Sequence, residues 1–176
     1  MFKKIIVGII VVLGLFAIVV AFQPNQFAVT RSAVIATPPS TVYGMVNDFH
    51  TWDSWSPWAK LDPNMKTTFA GPAAGNGAEY HWVGDSKVGE GNMKILDSRP
   101  AQAVHIQLDF IKPFASSCDC NFTFAPQAGG TLVTWTMSGP MNFVSKAMCM
   151  FVSMDKMVGG DFERGLANIK AIAEKK

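Results

Sequence analysis

The chain has 176 residues, with 15 Lys+Arg against 13 Asp+Glu and 49% hydrophobic residues. Charge so near balance, with no basic cluster anywhere, excludes sequence-independent phosphate binding, so no nucleic-acid partner is expected. Three cysteines, Cys118, Cys120 and Cys149, are too few and odd in number for a disulfide framework. They read as reduced, buried thiols acting as small hydrophobes.

The chain opens with Met-Phe-Lys-Lys and then an apolar run at 5–22, free of charge and of Asn, Gln, Ser and Thr. A helix of that length covers about 27 Å, close to the roughly 30 Å hydrocarbon core of a bilayer. The run ends Val19-Val20-Ala21-Phe22-Gln23-Pro24, which lacks a clean Ala-x-Ala cleavage site. Residues 1–22 therefore read as one transmembrane anchor, with a cleaved signal and a secreted domain as the alternative. Lys3 and Lys4 precede the run and the next basic residue is Arg31. The positive-inside bias then puts the N-terminus in the cytoplasm and the domain on the periplasmic or extracytoplasmic side. Residues 23–26 form a short polar linker, and 27–176 a single domain.

Residues 27–36 are rich in β-branched side chains and predict a strand, stopped by Thr37-Pro38-Pro39. A Thr37 cap with proline in the first turn predicts a helix, on which Val42, Met45, Val46 and Phe49 share a face. The stretch Trp52-Asp53-Ser54-Trp55-Ser56-Pro57-Trp58 ends it in a tryptophan-rich turn. That turn has two readings, a wedge toward lipid headgroups or a plug at the end of a sheet. From there the period is two. Strands are predicted at 66–70, 78–83, 88–97, 103–111, 116–125 and 131–138, separated by Gly, Pro and Asn turns. After Gly139-Pro140 the helical period returns, with Phe151, Met154, Val158, Phe162, Leu166 and Ile169 in one stripe, interrupted by Gly159-Gly160. The order strand, helix, about six strands, long helix excludes a doubly wound parallel sheet and fits an antiparallel α+β meander around a terminal helix.

Alternation sorts the strand faces. Val104, Ile106, Leu108 and Phe110 share one face and His105, Gln107 and Asp109 the other. Cys118, Cys120, Phe122 and Phe124 oppose Ser117, Asp119, Asn121 and Thr123; Val133, Trp135 and Met137 oppose Thr134, Thr136 and Ser138; Tyr80 and Trp82 oppose Glu79 and His81. Five of the ten Met lie between 141 and 157, suited to an adaptable apolar surface. The bulky faces admit either a ligand cavity or a packed core.

Several stretches together resemble the SRPBCC (START-like) superfamily, in particular its bacterial polyketide cyclase/dehydrase-like branch. They are Ser32-Ala33-Val34-Ile35-Ala36-Thr37-Pro38-Pro39, the Trp52–Trp58 turn, Gly77-Ala78-Glu79-Tyr80-His81-Trp82, Gly89-Glu90-Gly91, Phe110-Ile111-Lys112-Pro113-Phe114, Thr131-Leu132-Val133-Thr134-Trp135 and Asp161-Phe162-Glu163-Arg164-Gly165-Leu166. The resemblance covers nearly all of 27–174. It implies the helix-grip fold, an antiparallel sheet wrapped around a long C-terminal helix, here preceded by one transmembrane helix. It also implies an apolar cavity, as in lipid-transfer, hormone-binding and coenzyme-Q-binding members and a few cyclases. The candidate cavity-lining residues are Tyr80, Trp82, Ile106, Leu108, Phe110, Phe122, Trp135, Met137, Phe151, Met154, Val158 and Phe162.

A cyclase or dehydratase needs an acid and a base converging on the cavity. Glu79, His81, His105 and Asp109 fall on the faces opposite the apolar ones, and Asp85 lies in a turn. No catalytic residue is therefore assigned. Tyr80, a phenol among aromatics, is placed to orient a polar ligand group. There is no His-Glu-x-x-His or Cys-x-x-Cys, and no metal or cofactor is expected. Gly75-x-Gly77 and Gly89-x-Gly91 read as turn and bulge glycines rather than a nucleotide loop. The function expected is membrane-tethered binding of an apolar small molecule such as a lipid, quinone or polyketide-like compound. The alternatives are a cyclase/dehydratase enzyme and an assembly or structural domain with a filled core.

Overall fold

The computed structural model describes residues 2–175. Helix α1 (Phe2–Ala21) is followed by β1 (Gln26–Ile35), α2 (Pro39–Asn47), a 3-10 turn (Phe49–Thr51) and the short α3 (Trp52–Trp55). Six strands come next: β2 (Lys66–Ala70), β3 (Glu79–Val83), β4 (Glu90–Arg99), β5 (Ala103–Lys112), β6 (Ser116–Gln127) and β7 (Gly130–Pro140). Helices α4 (Phe143–Cys149) and α5 (Met154–Ala173) close the chain.

The strands form one antiparallel sheet in the order β1-β7-β6-β5-β4-β3-β2. Consecutive hairpins build β2 to β7, and β1 returns to pair with β7, Gln26 opposite Pro140 and Ile35 opposite Thr131. Alternation is obeyed where the sequence showed it: Cys118, Cys120, Phe122 and Phe124 are buried on β6, and Val133, Trp135 and Met137 on β7. Register shifts in β4 at Glu90/Gly91 and Ile95/Asp97 bend the sheet there. Helices α2, α3 and α5 cover the apolar face, and the core lies between them and the sheet. This is the α+β helix-grip arrangement.

Helix α5 runs alongside β1, held at three points. Arg31 pairs with Asp155 and Glu163, each at 2.7 Å. Lys170 Nζ donates to the Val34 carbonyl at 2.8 Å, and the Ala36 amide donates to Glu174 Oε1 at 2.7 Å. Gly159 explains the interrupted stripe. A Cβ there would sit 2.2 Å from Arg31 Nη2, so glycine is needed for the guanidinium to cross the helix. The helix does not break at this point.

Three expectations are corrected. Thr37 does not cap α2: Pro38 occupies the cap position without a side-chain bond, Pro39 begins the helix, and Thr37 Oγ1 is buried without a partner. The long helix does not begin at Phe151. Ser153 caps a new helix at Met154, and Phe151 lies in the turn before it, 78% exposed. Of the three thiols, Cys118 and Cys120 are buried but Cys149 is only partly so; all three are free.

Helix α1 is the one helix among the described residues long and apolar enough to cross a bilayer, a property that signal sequences share. All but its last turn projects away from the domain; of its residues only Val20 is buried.

Candidate functional site

A cavity of about 390 Å³ lies between the apolar face of the sheet and α5, within the range of small-molecule sites. The sheet contributes Tyr80 and Trp82 from β3, Leu108 and Phe110 from β5, and Trp135 and Met137 from β7. The helix contributes Val158 and Phe162. The remaining candidates lie elsewhere. Ile106 and Phe122 are fully buried in the packed core. Met154 packs against that core from its edge. Phe151 sits outside, because the turn at 150–153 carries it off the helical stripe.

Trp135 is the hub of the wall. Its ring stacks on Phe162 at 4.1 Å and on Phe122 at 4.7 Å, and meets Trp55 and Trp58 edge-on, both at 5.9 Å. The approach of α5 depends on Gly165, where a Cβ would stand 2.8 Å from the Trp135 ring. The tryptophan turn is thus a plug rather than a wedge. Trp52 and Trp55 are buried, and their indole N–H groups donate to the Val46 and Met45 carbonyls, each at 3.0 Å. Those two carbonyls belong to the last turn of α2, so the plug also terminates that helix.

Polar groups on the wall are few. The Tyr80 phenol is pushed up to about 12, by burial first and then by the negative charge of Asp53. It therefore stays a neutral hydroxyl throughout the physiological range. Trp135 Nε1 is buried with no partner in hydrogen-bond geometry. It faces the Cys120 sulfur, a weak acceptor, whose thiol is pushed well above its ordinary value by Cys118 and by burial. Asp53, Ser56, Lys87 and Asp161 complete the polar lining. Asp53 and Lys87 are exposed, and Asp161 is ion-paired with Arg164.

The acids and histidines weighed from the sequence are engaged elsewhere. His81 bonds Asn92 at 2.6 Å, His105 bonds Asp119 at 2.7 Å and Glu79 bonds Lys94 at 2.7 Å, all across the outer sheet face. Asp109 accepts from Gln107 and Ser117 on that face. Asp85 accepts from the Lys87 amide in its own turn. A shallower hollow of about 220 Å³ lies beside β2–β4 and gathers Glu79, His81 and Lys94.

Sequence reasoning missed Trp58, Met93, Cys120 and Met157 as wall residues. Met93 and Cys120 follow from alternation once Gly91-Met93-Ile95 is placed on one face of β4 and Cys120 beside Phe122. No periodicity reaches Trp58, which lies in a loop.

Residues 26–174 match the family described as "Polyketide cyclase / dehydrase and lipid transport". The chain belongs to this family. Among solved structures it is similar to a protein from Chromobacterium violaceum, at TM-score 0.57 and 16% identity over 87% of this chain and 100% of that one. A protein from Mesorhizobium loti gives TM-score 0.60 and 17% identity, covering 85% and 100%. The di-domain ARO/CYC StfQ from the steffimycin biosynthetic pathway gives TM-score 0.62 and 10% identity, covering 85% of this chain and 51% of that one. At these identities the likeness is one of fold. No curated protein matches the chain significantly. Membership of the polyketide cyclase/dehydrase and lipid transport family accounts for the architecture; what the site can hold depends on the chain's own cavity wall.

Proposed function

We propose that residues 27–176 bind an apolar small molecule of the lipid, quinone or polyketide-like kind in the cavity between sheet and α5. Residues 1–22 hold that domain at a membrane, N-terminus inside, through the linker 23–26. The observation that carries the reading is the wall itself. Aromatic, aliphatic and Met side chains surround a space large enough for a ligand, and Tyr80 offers one interior hydroxyl that stays protonated. Such a donor suits a carbonyl or hydroxyl at one end of an otherwise greasy molecule. Membership of a family that includes lipid transport agrees with it.

One observation favours a second reading, a cyclase or dehydratase: Asp53, Lys87 and Asp161 are titratable groups on the same cavity. General acid–base work at neutral pH calls for groups that titrate near neutrality. Tyr80 is moved further from that range, and no acid–base pair among the described residues converges on one point of the wall, the Asp161 carboxylate being engaged in an ion pair with Arg164. Binding is therefore the leading reading.

All five Trp lie in the domain and none in α1. Intrinsic fluorescence of the full-length chain in nanodiscs thus reports on the cavity and its plug. Titration with a brominated fatty acid should quench Trp82 and Trp135 at saturation, and Leu108→Trp, which fills the cavity, should weaken the quenching midpoint about tenfold, or about 1.4 kcal/mol. No quenching by brominated fatty acids or quinones, in a chain with an intact near-ultraviolet spectrum, would remove the binding reading.

A further inference from the structure

The antiparallel register gathers one set of ends together. Gln26 opposes Pro140, Ser138 opposes Asp119, Ser116 opposes Phe110, and Lys112 opposes Glu90. The start of α5 points toward them, since Asp155 meets Arg31 midway along β1 while Glu174, at the other end of the helix, meets Ala36 past the end of that strand. This end of the domain carries the β5–β6 turn, α4, the 150–153 turn and the last turn of α1.

Its surface is inverted relative to that of a water-facing helix. On α4 the apolar Phe143, Val144 and Met148 are at least half exposed, while the one charged residue, Lys146, is 8% exposed. The turn after it exposes Phe151 and Val152, and the β5–β6 turn exposes Phe114 at 74%. From 141 to 154 the chain carries no charge other than Lys146. Exposed apolar side chains gathered at one end of a domain mark a contact with something apolar.

Three further features say what covers it. Helix α1 touches α4, and Val20 in its last turn is buried against the domain. The Lys146 ammonium donates to Asn25 Oδ1 at 2.5 Å, and the Met141 amide donates to the Asn25 carbonyl at 2.8 Å, so α4 is tied directly to the linker. Only Phe22, Gln23, Pro24 and Asn25 separate α1 from β1. Even fully extended that stretch reaches no more than about 17 Å. Resting on the reading that α1 spans a bilayer, we propose that this end of the domain is a bilayer-docking face: Phe114, α4 and Phe151-Val152 enter the headgroup–acyl boundary beside α1. Apolar side chains in such a position lie about 5–10 Å into the interface. The contact is hydrophobic rather than electrostatic, because the only cation in the 141–154 segment is turned inward. The domain is thereby held in one orientation, with the Met157 side of the cavity wall at the bilayer end of α5.

The test uses the full-length chain in phosphatidylcholine nanodiscs, with photoreactive p-benzoylphenylalanine replacing Phe151, Phe114, Leu13 or Leu96 in turn. Leu13 lies midway along α1; Leu96 is a half-exposed residue near the opposite end of β4. After irradiation, intact-mass analysis should show lipid adducts at Phe151, Phe114 and Leu13 and none at Leu96. Adducts at Leu13 alone would overturn the docking face and leave the anchor standing. No lipid adduct at any position would overturn both. Chain-to-chain adducts at Phe151 would assign the face to a second copy, and lipid adducts at all four positions would contradict a single orientation; either result overturns the proposal.

Discussion

Helix α5 is seated on the cavity wall through a glycine, and the seat can be weighed against an internal reference on the same helix. At Gly160 an added Cβ would meet only Arg164 Nη1, at 3.9 Å. Replacing that glycine with alanine should return the helix-propensity difference, about 1 kcal/mol. At Gly165 the same Cβ would stand 2.8 Å from Trp135 Cζ3 and 3.3 Å from Pro57 Cδ. Neither neighbour is a flexible tip: the buried Trp135 ring is stacked against both Phe162 and Phe122. Overpacking a fitted site costs about 1–3 kcal/mol, which cancels or exceeds the same gain of about 1 kcal/mol. For a chain of this size each kcal/mol moves the melting temperature by about 2–4 °C. Gly160→Ala should therefore raise it by about 2–4 °C, and Gly165→Ala should leave it unchanged or lower it by up to about 8 °C. The assay is thermal unfolding of the full-length chain in detergent, followed by near-ultraviolet circular dichroism, which reads the Trp135 cluster. Equal stabilisation by the two alanines would refute the close seating of α5 on Trp135.

Other outcomes follow from the same geometry. The folded Tyr80 phenol titrates near 12, above its ordinary value of 10.0, so the stability it confers is complete below about pH 10 and is lost as pH rises toward 12. Denaturant midpoints across that window should fall less steeply in Tyr80→Phe, and an unchanged slope would contradict burial of the hydroxyl. Asp155 is held below the usual carboxylate range by Arg31, a contribution present at neutral pH and lost as pH falls through the folded value. Gly159→Ala displaces the guanidinium and should let Asp155 titrate closer to its ordinary value in carboxyl-carbon NMR; no change would mean that Arg31 does not cross the helix at Gly159. Among the thiols, Cys149 should react first with a polar alkylating reagent, and Cys118 and Cys120 only on unfolding. Modification of Cys120 in the native chain would contradict its burial.

The strands were legible because each has one wet and one apolar face, and a period of two survives any uncertainty about partners. All seven were placed, β2 at its observed bounds, and the antiparallel meander was legible from the short turns between them; the pairing of β1 with β7 is encoded in no turn. The cavity wall was less completely legible. The 52–58 turn carries its tryptophans inward through indole bonds to the end of α2, an arrangement that no helical or strand period encodes. Phe151 was misassigned because apolar spacing alone cannot distinguish one helix from two. The cap at Ser153 and the exposed turn before it divide the stripe. Arg31 passed as one basic residue in a strand, and its place over Gly159 depends on an approach of β1 to α5 across more than a hundred residues. The cavity was legible as an apolar face. Whether such a face encloses space or fills it depends on how far α5 stands off the sheet, which depends on contacts such as Gly165 against Trp135.

Native mass spectrometry of the full-length chain, released from detergent in the gas phase and followed by solvent extraction of whatever it carries, reads the occupancy of the cavity without a probe. A ligand-binding cavity should give a defined apolar adduct on the chain that is absent from Leu108→Trp, with the extract identifying a lipid, quinone or polyketide-like compound. A bare mass for both proteins, under conditions where a supplied brominated fatty acid also fails to bind, would contradict it and leave a domain whose cavity serves no ligand.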